Sequence, residues 1–414
     1  MTKEEIATRI RSGRTALGLE LGSTNIKAVL VTEDCRTVAS GSFGWENQLI
    51  HGIWTYPLTE AWTGIQTCYQ QLANMVQTEY GVSLKQIGSI GISAMMHGYL
   101  AFNHEDQQLA QFRTWRNNIT AEAAEKLTAA FHFNIPQRWS IAHLYQAILN
   151  KEDHVKDIAF LTTLAGYVHW QLSGEKVLGI GDASGMFPID EKTGLYDAAM
   201  LEKFESLDAV KAYPWKLQEI LPQPLRAGHS GGQLTKEGAW LLDPTGKLQP
   251  GALMAPPEGD AGTGMVSTNA VRKRTGNISV GTSAFSMNVL DAPLKEVHRD
   301  IDVVTTPDGA PVAMVHANNC SSDLNAWIGS FYLVGQNGIE SLTRERIAEV
   351  YGDPSSNRYI AEYTALEPTS RKPLHPHGFT VEAGEQEHLI QTTLFCRRIE
   401  TIADGLRWGD IKRY

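Results

Sequence analysis

Three short stretches carry side chains whose types and spacing suit chemistry. The first is Gly22-Ser23-Thr24, with Glu20 just before it and Lys27 just after. A glycine lets backbone N–H groups approach an oxygen, the hydroxyls add donors, and a lysine neutralises charge, so this turn suits a polyphosphate. Glu20 can hold Mg2+ directly or through water. The Gly-x-x-x-x-Gly-Lys-Ser/Thr loop is absent from the chain, so this is a different kind of phosphate turn. The second stretch is Glu258-Gly259-Asp260-Ala261-Gly262-Thr263-Gly264. Its Asp260 sits among glycines, and a lone carboxylate in a cleft can act as a general base. On these residues alone a surface Gly-Asp turn is the favoured alternative. The third is Met95-Met96-His97-Gly98, where His97 can meet a polar ligand. A lone histidine near a strand end is more often satisfied by its neighbours.

The elements that position these stretches are legible as patterns. Residues 1–14 read as a lead-in helix. Apolar runs at 16–21, 26–31 and 37–43, separated by turn residues, read as a β-meander. Trp62, Ile65, Tyr69, Leu72 and Val76 recur at helical steps, which predicts a helix over 58–80. A short buried strand over 87–93 leads into Met95–Gly98. Open α/β sheets place ligands beyond such strand ends. Residues 120–211 read as mainly helical, interrupted at 179–185. Seven prolines between Pro214 and Pro257 exclude long helices there. Strand-turn-strand returns over 278–290. Alternating strands and helices predict an α/β protein.

That return is an echo. Gly18–Thr24 followed by a strand is matched by Ile278-Ser279-Val280-Gly281-Thr282-Ser283 followed by another. Two related α/β domains across a cleft would bring both turns to one ligand. Chance is the alternative, because glycine and hydroxyl residues are common in turns.

Composition bounds the rest. A chain of 414 residues suggests two to four domains. Apolar residues at 42% and charged residues at 20% are enough for a sizeable core. A net charge of −10 argues against nucleic acid and anionic membranes as partners. Cys35, Cys68, Cys320 and Cys396 stand far apart, without zinc or redox spacing, and read as reduced thiols. The first residues lack a signal-peptide segment, and no apolar run reaches eighteen residues. The expectation is a soluble, cytoplasmic, multi-domain protein.

Taken together and in order, the motifs resemble the FGGY family of carbohydrate kinases, in the actin/hexokinase/Hsp70 superfamily, and within it the xylulokinase-like branch. The resemblance covers about residues 16–350. It rests on Gly18–Lys27, on Gly91-Ile92-Ser93-Ala94-Met95-Met96-His97-Gly98, and on Thr114-Trp115-Arg116-Asn117 at the family's Trp-x-Asp. Gly259-Asp260 and Ser279–Ser283 complete it. It implies an α/β fold of two ribonuclease-H-like, actin-like ATPase domains with an interdomain cleft. The N-terminal domain would span 1–266 and the C-terminal domain 267–414. It implies ATP- and Mg2+-dependent phosphorylation of a sugar hydroxyl, with a pentulose such as xylulose as the expected substrate. Asp260 would be the general base on the attacking hydroxyl. Met96, His97, Trp115 and Asn117 would contact the sugar. Glu20, Gly22, Ser23, Thr24, Lys27, Gly281, Thr282 and Ser283 would face the ATP phosphates, with Glu20 also on the metal. A homodimer is left open.

Four positions depart from the family pattern. Glu20 stands where Asp is usual, Asn117 where the Trp-x-Asp carboxylate is, Ala261 where Asn is frequent, and Tyr56 where Glu is frequent. The larger departure is the tail. No Gly-Gly follows Gly231-Gly232, and beyond about residue 356 the sequence no longer reads like the family. Pro368–His377 is breaker-rich and basic, and 389–406 is the one modest helical stretch. The expectation is a second domain cut short by truncation or frame shift, rather than an unusual native tail. Three functions compete: a working sugar kinase, a catalytically impaired sugar-binding protein derived from one, and an actin-like ATPase without a sugar. Met96-His97 argues against the last.

Overall fold

The computed structural model describes residues 1–280, 284–317 and 320. The chain divides into two compact units, one formed by 1–277 with 286–315 and the other by 278–285 with 316–414. The turn at Gly281, Thr282 and Ser283, the helix expected over 389–406 and the atypical tail lie outside the described residues.

The first unit opens with α1 (Lys3–Arg11), started by a capping box in which Thr2 and Glu5 each accept the other's backbone N–H. The meander follows as β1 (Thr15–Leu21), β2 (Asn25–Thr32) and β3 (Thr37–Gly44), all antiparallel. Leu17, Leu19 and Leu21 alternate into the core, as do Ile26, Ala28 and Leu30, the two-residue period of a half-buried strand. That alternation leaves Glu20 and Lys27 on the opposite face, directly across the hairpin. A small hairpin of β4 (Gln48–Ile50) and β5 (Ile53–Thr55) leads to α2.

Helix α2 spans Leu58–Tyr80, the limits its periodicity predicts, and stops at Gly81 in the left-handed conformation. Its buried face of Ala61, Ile65, Cys68, Tyr69, Leu72 and Val76 covers the sheet. The two approach so closely that a Cβ at Gly41 on β3 would overlap the carbonyl of Cys68.

Strand β6 (Ser89–Ala94) lies parallel to β1. The stretch expected to be mainly helical holds α3 (Ala121–Phe131), α4 (Ser140–Leu149), α5 (Leu164–Ser173), α6 (Ile180–Ala183) and α7 (Ala198–Ser206). It also holds two strands of three residues each. Strand β8 (Phe160–Thr162) pairs with β7 (Leu100–Phe102) and β9 (Val177–Gly179) with β10 (Gln223–Leu225). Three residues are too few to show a period, and that is why the pattern missed them. Two short helices, α8 (Leu217–Ile220) and α9 (Lys236–Leu242), fit the proline-rich region.

Strands β11 (Leu253–Met254) and β12 (Glu258–Gly259) add to β6 in parallel, giving the order β11-β6-β1-β2-β3 with β12 also on β6. Helix α10 (Asp260–Ser267) starts directly from β12. Strands β13 (Gly276–Val280) and β14 (Ala284–Val289) flank the undescribed turn. In the first unit, Asp302–Thr305 of β15 pairs antiparallel with Pro311–Met314 of β16 (Pro311–Ala317). The parallel strands β1, β6 and β12 all end at the same edge, and the three chemical stretches begin there.

Candidate active site

The first turn joins β1 to β2, and three bonds hold its carbonyls from behind. Trp45 donates through its indole Nε1 to Gly22 O (2.7 Å) and through its backbone N–H to Thr24 O (3.1 Å). The Tyr56 hydroxyl donates to Ser23 O (2.7 Å). The Trp45 and Tyr56 rings lie against each other, with centroids 4.3 Å apart. Tyr56, which departs from the family pattern in sequence, is therefore a brace for this turn. Burial pushes its phenol up to about 12, so it stays a neutral donor. Ser23 and Thr24 are exposed. Lys27 Nζ lies 3.2 Å from Glu20 Oε2.

Asp260 is the first residue of α10, delivered beside the end of β6 by the pairing of Gly259 with Ala94. Its Oδ1 accepts backbone N–H groups from Ala261 (2.9 Å) and Met96 (3.3 Å). Burial pushes its carboxyl up to about 6; the two N–H groups oppose the rise and the charge of Glu20 adds to it. Asp260 is therefore a partly buried base poised just below neutrality, not a surface turn residue. The register that pairs both Leu21 and Gly259 with Ala94 sets the first and second stretches side by side, and the charge of Glu20 reaches Asp260. Asp260 is also not a lone acid, as the sequence suggested. Glu258 and Asp182 stand behind it.

Glu258 is buried and accepts from the N–H groups of Gly181 (3.1 Å) and Asp182 (2.9 Å). Burial raises it to about 7. Asp182 is fully buried; its Oδ2 accepts from Thr163 Oγ1 (2.7 Å). Burial first, then the charges of Glu258 and Asp260, hold it well above the usual carboxylate range. Sequence reasoning assigned neither residue. The available signal was the break in helical pattern at Gly179–Gly185, together with an acid two positions before Asp260.

Met96 and His97 leave only an edge at the surface, at 6% and 4% exposure. His97 takes a left-handed backbone at φ +65°, followed by Gly98 at +109°. Its Nδ1 lies 3.2 Å from Gly185 O, which makes that nitrogen the N–H donor. Its ring stacks 6.3 Å from Trp139. Met96, His97, Asp260 and Glu20 are thus brought together.

The Trp-x-Asp position lies apart from this contact network. Asn117 is buried, and its amide is spent on backbone: Oδ1 accepts from Trp54 N–H (2.9 Å), while Nδ2 donates to Trp54 O (2.8 Å) and Thr114 O (3.0 Å). That pattern needs an acceptor and a donor in one side chain, which Asn has and an ionised Asp lacks. Trp115 leans on the core, and the Arg116 guanidinium stacks over Trp54 at 3.9 Å.

The described residues contain no group of three or more His, Cys, Asp or Glu side chains able to hold a metal ion by themselves. Glu20 and Asp260, two carboxylates that repel each other, still suit Mg2+, which takes one or two carboxylates and completes its shell with water and substrate phosphate. Among the described residues no helix is long and apolar enough to cross a membrane.

Comparison with known proteins gives a consistent picture. The model of the N-terminal domain of the FGGY family of carbohydrate kinases matches residues 15–242. A xylulose kinase of Haemophilus influenzae is 21% identical over 324 residues, 75% of this chain and 60% of that protein. A gluconokinase of Bacillus licheniformis is 23% identical over 290 residues, 67% of this chain and 52% of that protein. The chain thus spans about half to three fifths of the length of these curated relatives. Among solved structures, the xylulose kinase of Rhodospirillum rubrum superposes with a TM-score of 0.64 at 17% identity, covering 79% of this chain and 65% of that one. The glycerol kinase of Plasmodium falciparum with ADP gives 0.65 at 14%, covering 95% and 78%.

Proposed function

The chain belongs to the FGGY family of carbohydrate kinases, and we propose from that premise that it transfers the γ-phosphoryl group of ATP to a hydroxyl of a small sugar. A pentulose such as xylulose is the first candidate, and the xylulose kinase relatives support it. The reading carries with it two ribonuclease-H-like domains, 1–266 and 267–414, and a cytoplasmic protein.

The observation that carries it is the seat of Asp260: a partly buried carboxylate whose pKa burial pushes up to about 6, beside Met96–His97 and within reach of the charge of Glu20. Phosphoryl transfer asks the protein mainly for position and electrostatics. A sugar hydroxyl bound against Met96 and His97 would give its proton to Asp260 as it attacks. A base near pH 6 is mostly ionised at pH 7 and still basic enough to accept that proton. The exposed Ser23 and Thr24 and the Lys27 ammonium would meet the phosphates, on a turn already fixed by Trp45 and Tyr56. Gly281, Thr282 and Ser283 would meet them from the second turn. Mg2+ held at Glu20 would neutralise phosphate charge.

The test is ATP-dependent phosphorylation of xylulose, gluconate and glycerol by the wild type and by Asp260→Asn. We expect the highest kcat/KM on the pentulose. Loss of the base should lower kcat by ~10²–10⁴-fold with little change in sugar affinity. An Asn variant that keeps full turnover would overturn the role of Asp260. A wild type that phosphorylates none of the three would overturn the function.

A further inference from the structure

The corner formed by α6 and Gly185 touches the sugar segment at both its backbone and its ring. Asp182 is the centre of that contact. Its Oδ2 accepts the Thr163 hydroxyl, whose oxygen is itself occupied by the Gly166 N–H (3.3 Å) as the cap of α5. That leaves the hydroxyl proton for Asp182. The backbone N–H of His97 faces the same carboxyl, whose Oδ1 has no hydrogen-bond partner among the described residues. A Cβ on Gly259 would stand 3.3 Å from Asp182 Oδ1 and would overlap Met96 Cγ, so the carboxyl lies against the peptide that joins Glu258 to Asp260. Three positions after Asp182, Gly185 accepts from His97 Nδ1, and a Cβ there would come within 2.6 Å of that nitrogen and 3.2 Å of Met96 Cε.

The corner itself is fixed from two sides. Glu258 accepts the N–H groups of Gly181 and Asp182, and a Cβ at Gly179 would overlap its carboxyl. On the other side, Thr305 of β15 donates its N–H to Ser184 Oγ (2.9 Å) and its hydroxyl to Ile180 O (3.0 Å). His97, meanwhile, holds a left-handed backbone. A residue other than glycine keeps that conformation only where its surroundings impose it.

We propose that Asp182 is a positioning residue for sugar selection: it faces the His97 N–H, keeps that residue left-handed, and so sets where Met96 and His97 stand beside Asp260. Asp182 does not touch the sugar. Gly185 is the matching wall on the ring side. The sugar part of this inference rests on the kinase reading above, whereas the hold on His97 does not.

The test uses the 414-residue chain and two readouts, hydrogen exchange of the 95–99 segment without ligand, and KM for sugar and for Mg-ATP. Asp182→Ala should speed exchange at 95–99 at least tenfold and raise sugar KM at least tenfold, with KM for Mg-ATP within about twofold of wild type. Asp182→Asn keeps an acceptor for the His97 N–H and should restore both. Gly185→Ala, which displaces the ring without touching Asp182, should raise sugar KM and leave KM for Mg-ATP alone. If Asp182→Ala does not fold, Asp182→Asn and Gly185→Ala decide the matter. Unchanged exchange and unchanged sugar KM in the folded Ala variants would overturn the proposal, and so would failure of the Asn variant to rescue. If the wild type phosphorylates no sugar, the kinase reading fails, and exchange at 95–99 alone decides the hold on His97.

Discussion

Replacing Asp260 with Asn should stabilise the protein at neutral and alkaline pH. The native fold holds this carboxyl at about 6 instead of its ordinary 3.8, chiefly through burial. A raised acid binds its proton more tightly in the native state, so ionising it costs native stability. That cost is absent below pH 3.8, grows between pH 3.8 and 6, and is complete above. At about 1.36 kcal/mol per pH unit the full rise amounts to ~3 kcal/mol. Asp260 is partly open to water, which screens the effect and brings it to about 2 kcal/mol. Asn removes the charge and keeps an oxygen for the N–H groups of Met96 and Ala261. It also gives up a favourable negative charge at the first residue of α10, worth ~0.5 kcal/mol. The net gain is ~1–2 kcal/mol at pH 8. For a protein of this size that is an increase of about 1–3 °C in Tm. The assay is urea and thermal unfolding of both proteins at pH 4, 6 and 8, followed by tryptophan fluorescence. The gap should vanish near pH 4. A variant less stable than wild type at pH 8, or a gap that ignores pH, would show that Asp260 is not held against its own ionisation.

Three further substitutions test the frame around the site. A Cβ at Gly41 meets backbone on α2, which no rotamer change can relieve, so Gly41→Ala should cost ~3 kcal/mol. Gly44→Ala, with open space around it, should be near neutral in the same urea titration. Asn117→Ala strands the Trp54 N–H, whose bond to Asn117 Oδ1 is the one it loses, and should lower the unfolding free energy by about 1–3 kcal/mol. Because the bonds of this amide clamp β5, kcat should fall less than threefold in folded protein.

Periodicity and turn chemistry suffice for much of this fold. Helix α2 and the meander fall where the apolar steps place them, because each buries one regular face. Asp260, His97 and Glu20 were legible as types in glycine-rich surroundings, and their convergence follows from β1, β6 and β12 ending at one edge. Asp182 and Glu258 left only a faint signal, a break in helical pattern and an acid near Asp260. Their signature is burial and hydrogen bonding to backbone from distant segments, which leaves no periodic trace. The short strands β8 and β9 escaped because three residues are too few to show a period. Asn117 is the opposite case: it sits at a motif position that suggests ligand contact, and its hold on Trp54 is visible only in the partners of its amide.

The grouping of acids explains why the site carries glycine so densely. Glu258, Asp182 and Asp260 are all buried or nearly so, and each is raised by that burial. Like charges this close do not all ionise at neutral pH. Ionisation is least opposed at Asp260, which is partly open to water, whereas Asp182 and Glu258 are enclosed. The enclosure is built by Gly179, Gly181, Gly259 and Gly262, where a Cβ would strike Glu258 or Met96 or press on them. Removing side chains from these four positions lets two carboxyls sit behind the base and bond to backbone without displacing it. The same glycines let β12 pass against Met96 and deliver Asp260 at the edge of the sheet. Burial raises the deep pair further than it raises the base, so the carboxylate most fully charged at neutral pH is the one a hydroxyl can reach.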